Sequence, residues 1–146
     1  MLSLDQIETE IKEAIKAKDQ LLVDTLRGLK TRIQNEKIAK MKDLGESEIL
    51  ALVKSEVKKR KEAAESYGIG GRAELQGKEL KEAAILEKFL PPQMQESELK
   101  ALVEKVIAEN NFTVKDFGKA MGQLKAQVGE AADGSKLAKL LKEKLK

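Results

Sequence analysis

Residues 113–134 read T-V-K-D-F-G-K-A-M-G-Q-L-K-A-Q-V-G-E-A-A-D-G. Thr113 and Asp116 form a capping-type pattern, and Phe117, Met121, Leu124 and Val128 recur at three- and four-residue spacing, so the stretch predicts a helix ending at Gly129. Asp133 is placed to cap a further helix. Gly118 and Gly122 interrupt the helical pattern one turn apart. A helix-interior glycine costs about 0.8–1 kcal/mol relative to alanine, so the pair predicts that something comes close. That is either a neighbouring helix backbone within a three-helix unit or an external ligand such as a phosphate.

The same helical spacing extends through the rest of the chain. Ser3 with Gln6 opens a first helix carrying Leu4, Ile7, Ile11 and Ile15 inward to about Ala17. Asp19 caps a second, with Leu22, Leu26, Leu29 and Ile33 on one stripe and Arg27, Lys30 and Lys37 off it. A third starts at Glu46 or Ser47, buries Ile49, Val53, Val57 and Ala64, and ends at Tyr67 before Gly68-Ile69-Gly70-Gly71. A fourth spans Ala73 to Phe89, where Pro91-Pro92 stops it. Beyond the prolines a helix from Glu96 or Ser97 to Asn110-Asn111 turns Leu99, Leu102, Val103, Val106 and Ile107 inward. The last helix does the same with Leu137, Leu140, Leu141 and Leu145. The predicted fold is all-α: a long-helix N-terminal part (1–90), a proline hinge (91–95) and a compact three-helix C-terminal part (96–146).

Composition agrees with helices and narrows the chemistry. The 146 residues are 41% hydrophobic, 36% charged and 3% aromatic. Without cysteine there is no disulfide frame, zinc ribbon or thiol nucleophile, and without histidine the usual general base near neutral pH is missing. No catalytic residue, metal site or cofactor is assigned. No apolar run approaches the roughly 18 residues of a membrane span, and acids stand where a signal peptide has basic residues. The cytoplasm is the default location. The net charge of +3, from 28 basic and 25 acidic residues, means that any nucleic-acid contact depends on local arrangement and on salt.

The segment around Gly118 and Gly122, with Ala132-Asp133-Gly134, resembles the tail domain of the GatB/YqeY family, shared by glutamine-dependent tRNA amidotransferases and small stand-alone proteins. The stand-alone branch is matched by further blocks in the same order. These are Asp19, Leu26-Arg27-Gly28-Leu29, Lys58-Lys59-Arg60-Lys61-Glu62, Tyr67-Gly68-Ile69-Gly70-Gly71-Arg72, Glu79, Glu82, Ile85-Leu86 and Phe89-Leu90-Pro91-Pro92-Gln93. The similarity covers residues 4–145. Two departures are the lack of a basic residue at position 92 and of a second methionine near Lys125. The resemblance implies a C-terminal module that holds the elbow of a tRNA while chemistry occurs elsewhere. The amidotransferase's ATP-dependent activation belongs to a separate domain and its glutamine hydrolysis to another subunit, so a carbon–nitrogen ligase label is inherited from the shared tail.

The expected RNA-facing surface consists of Lys115, Lys119 and Lys125 around the close-approach glycines Gly118 and Gly122. Lys136 and Lys139 extend it, placing phosphates and reading no sequence. With so few aromatic residues no stacking platform is evident, which points to folded, shape-read RNA such as tRNA. Arg60 lies on the apolar stripe of the third helix, three residues after Val57, and calls for a carboxylate partner in Glu79 or Glu82. The Gly68–Arg72 turn lacks the P-loop pattern, and a helix C-cap accounts for its glycines. The alternative expectation is a protein-interaction adaptor that docks onto a translation enzyme through the long N-terminal helices. On either expectation the chain is a monomer with a transient partner.

Overall fold

The computed structural model describes residues 2–146. Among them are seven α-helices and no strand. The chain divides into two compact units, one up to Leu90 and one from Pro91 to Lys146.

The N-terminal unit holds α1 (Leu4–Lys16), α2 (Gln20–Lys40), α3 (Glu46–Ile69) and α4 (Ala73–Glu87). Local chemistry sets the helix starts. The Ser3 hydroxyl accepts from the Gln6 N–H at 3.2 Å, and Asp19 accepts from the Leu22 N–H at 3.2 Å. Each such cap satisfies a donor that the helix leaves unpaired, a contribution of about 1 kcal/mol. The core gathers Ile7, Ile11, Leu26, Leu29, Ile33, Val53 and Leu86, all buried. Burying each large aliphatic contributes roughly 1.5–3 kcal/mol.

Three details differ from the periodicity. Ile15 is 49% exposed and Ala14 is buried in its place, because Ala14, seven residues after Ile7, falls almost in line with it on the stripe set by Ile7 and Ile11, while Ile15 falls on the stripe's edge. Helix α3 runs through Gly68 to Ile69. Gly71, at φ +73°, makes the turn, and the N–H groups of Gly70, Gly71 and Arg72 bond back to carbonyls of α3. Helix α4 stops at Glu87, with Phe89 and Leu90 in a following turn whose N–H groups reach Leu86 and Glu87. Pro91 keeps the residue before it out of the helical region.

The C-terminal unit holds α5 (Glu96–Asn110), α6 (Phe117–Val128) and α7 (Gly134–Lys144). Asn111 closes α5 in the left-handed region at φ 54°, a conformation that asparagine tolerates. Asp116 accepts from the Thr113 N–H at 2.9 Å ahead of α6, and Asp133 accepts from the Ser135 N–H at 2.9 Å at the start of α7. Val103, Leu124 and Leu141 from the three helices meet in the core, each fully buried. The segment leading into α5 is tied to this unit. The Met94 N–H donates to the Ala131 carbonyl at 2.8 Å, and the Gln93 side-chain amide donates to the Glu130 carbonyl at 3.0 Å.

Candidate nucleic-acid interface

Helices α6 and α7 position the lysines. Gln123 exchanges side-chain hydrogen bonds with Asn110 at 3.1 and 3.4 Å, so α5 lies on the Gln123 side of α6. Lys142 on α7 places its ammonium 5.8 Å from the centroid of the Phe117 ring, so α7 lies on the opposite side. Helical geometry advances about 100° per residue. With Ala120, Leu124 and Val128 buried, Lys119 faces away from the core, and Lys115, in the 3-10 turn Val114–Asp116 that leads into α6, is exposed. Gly122 faces away from the core as well, while Gly118 and Lys125 fall on the flank nearer α7. On α7, where Leu137, Leu140 and Leu141 are buried, Lys139 also faces away from the core. Lys136 turns toward the α5 side, the side on which Lys144 pairs with Glu104 at 2.8 Å.

All five candidate lysines are exposed. None joins an ion pair among the described residues, whereas Lys100, Lys105 and Lys144 of the same unit each have a carboxylate within reach. Beyond Asn111, basic residues outnumber acidic ones eight to four, and Asp116 and Asp133 are engaged at helix starts. The unit is therefore polar in charge, with its glutamates concentrated on α5 and an unneutralised cationic surface on α6 and α7. The Lys144–Glu104 pair stays ionised at neutral pH. Its hydrogen bond, then its Coulomb attraction, raises the lysine above its ordinary value and lowers the glutamate below its own.

Gly118 and Gly122 require a correction. A Cβ built on either would meet nothing within 4 Å, so no neighbouring helix explains them. The close approach expected within the three-helix unit is absent, because both glycines lie on a surface that the chain leaves open. Alanine at both positions is accordingly expected to stabilise this unit by roughly 1 kcal/mol, most of it from Gly122, since Gly118 is the second residue of α6 and the full propensity difference applies only in a helix interior. Urea unfolding of the double variant measures it.

The other candidates lie in the N-terminal unit. Arg60 forms ion pairs with Glu82 and, at 3.7 Å, with Glu79, joining α3 to α4. The rest of the basic run disperses: Lys59 reaches Glu56 at 3.9 Å, Lys61 pairs with Glu87, and Lys58 is exposed. The N–H groups of the glycine turn are consumed by the end of α3, which leaves the turn no backbone cradle for a phosphate. No group of three His, Cys, Asp or Glu side chains among the described residues is placed to hold a metal ion. No described helix is long and apolar enough to cross a membrane.

Comparison with known proteins places these features in a family. A family model described as Yqey-like protein matches residues 4–145. A curated relative from Lachancea thermotolerans, altered inheritance of mitochondria protein 41, mitochondrial, is 32% identical over 110 residues. The match takes in 73% of this chain and 59% of the relative, so the chain spans less than two thirds of that protein's length. The relative's name places that protein in mitochondria, and the cytoplasmic location expected from the sequence gains no support from it.

Proposed function

This chain belongs to the YqeY-like family, and from that premise we propose that it is a non-catalytic module that binds folded RNA, tRNA foremost, through α6 and α7. One observation carries the reading: Lys115, Lys119, Lys125, Lys136 and Lys139 are exposed and unpaired in a unit whose other lysines largely find partners. An exposed ammonium gains little from a surface carboxylate. Several held on one rigid surface gain from a polyanion, because each phosphate contact releases condensed counterions. The likeness of this unit to the amidotransferase tail points to tRNA as the folded RNA. The open surface at Gly118 and Gly122 suits the reading, since a helix without side chains there lets a sugar–phosphate backbone approach closely.

Binding by this surface is non-sequence-specific and strongly salt-dependent. With about four lysines engaged, the logarithm of affinity falls with the logarithm of salt at a slope of about −3 to −4. Raising salt from about 50 to 200 mM weakens binding about a hundredfold. Fluorescence anisotropy with labelled tRNA, alongside a single-stranded RNA of equal length, measures this. Absence of binding at the lower salt, or a flat salt profile, rules the reading out.

A further inference from the structure

The α3–α4 hairpin outruns the core from which it grows. On α3 the buried members of that core end at Val57, and on α4 they begin with Ala83. Between Lys61 and Lys81 only Ala64 is buried. The α3 side alone extends roughly 13 Å past Arg60, at about 1.5 Å per residue. Residues 58–68 contain no Leu, Ile, Val, Met or Phe. Small and polar groups hold the two helices together. The missing side chain of Gly68 leaves the space that the Gln76 amide occupies, and the Arg60 ion pairs clasp the base.

The tip nevertheless displays apolar surface. Ile69 is 85% exposed, and Leu75, in the first turn of α4, is exposed as well. Arg72, between Ile69 and Leu75, has no ion-pair partner among the described residues, and no side chain caps α4. Charges along residues 61–81 balance, four basic against four acidic, so the arm presents no field to attract a nucleic acid. An apolar tip beside one cation and a free helix start suits a socket in a protein. We infer that the arm is a docking element whose tip enters an apolar pocket of a partner protein, with a carboxylate at the pocket rim. Ile69 and Leu75 fill the pocket, while Arg72 and the first N–H groups of α4 meet the carboxylate.

Site-specific photo-crosslinking on the full chain tests this. A benzophenone amino acid is placed at position 69, with position 38 as an exposed control, and the protein is irradiated in nuclease-treated cell extract. The expected result is one discrete protein adduct from position 69 alone. Its cross-linked peptide should be apolar and flanked by Asp or Glu, and its yield should fall about tenfold with Leu75→Asp or Arg72→Glu. Both variants should keep tRNA affinity, which separates the arm from the α6–α7 surface. An RNA adduct, an adduct to a second copy of this chain, no discrete adduct, or a yield indifferent to both variants overturns the inference.

Discussion

Replacing Arg60 with methionine is expected to destabilise the N-terminal unit by about 2–3 kcal/mol, measured by urea denaturation. The argument turns on the residue left behind. Glu82 is 8% exposed and has its short contact to Arg60. Without the guanidinium its carboxylate is buried and unpaired. Breaking a fully buried pair costs about 3–5 kcal/mol; this pair retains some solvent contact, which moves the value below that range. Removing both charges tells the same physics from the other side. Arg60→Met with Glu82→Leu is expected to recover most of the loss, since neither partner then needs solvation. Glu79→Gln should cost much less, because its contact is longer, at 3.7 Å, and its side chain is more exposed. Arg60→Lys should retain part of the stability, because Glu79 and Glu82 are both met by one guanidinium nitrogen, Nη1, a contact that a single ammonium can also make. A loss under about 0.5 kcal/mol for Arg60→Met would remove the ion pair from any stabilising role. Because the pair sits where the hairpin leaves the core, hydrogen exchange in residues 61–81 should rise in the same variant.

Features set by neighbours in sequence were open to reading, and those set by distant packing were not. Ser3, Asp19 and Asp133 act within three residues, and each bonds an N–H of the helix that follows it. Val53 and Val57 were readable as core because they share a helical stripe. Ile15 shares such a stripe too but sits at its edge, about 100° round from the buried Ala14, and spacing carries no record of how wide a strip the neighbouring helices cover. Gly68 signals a helix end in the sequence because glycine weakens helices. In the structure the helix passes through Gly68, and the Gln76 side-chain amide occupies the space that a Cβ there would take. Gly118 and Gly122 mark the opposite limit. Their rarity inside a helix signalled a reason, but sequence alone could not say whether the reason lay inside the chain or outside it. The bare arm did leave a signal, the absence of large aliphatic residues from 58 to 68, hidden among helix-forming Lys, Glu and Ala.

Reversing three charges on α6 and the turn that leads into it tests the proposed RNA surface most severely. The combined change Lys115→Glu, Lys119→Glu and Lys125→Glu is expected to lower tRNA affinity at about 100 mM salt by at least two orders of magnitude and to flatten the salt slope by about 2 to 3. Each substitution removes a phosphate contact and leaves a negative charge facing the polyanion. Stability should change little, because all three side chains are exposed and take no part in any ion pair among the described residues. The total charge change alone would weaken binding somewhat, so reversals at Lys58, Lys78 and Lys88, also exposed, serve as the matched control. A surface effect predicts a loss many times larger for the α6 set; a general charge effect predicts equal losses. Position on α7 sharpens the geometry. Lys139 faces away from the core and its reversal should cost about tenfold, whereas Lys136 turns toward α5 and should cost about threefold or less. If the order of those two were inverted, the RNA would lie across α5 and α7, away from the open glycine surface, and Gly118 and Gly122 would have no part in binding it.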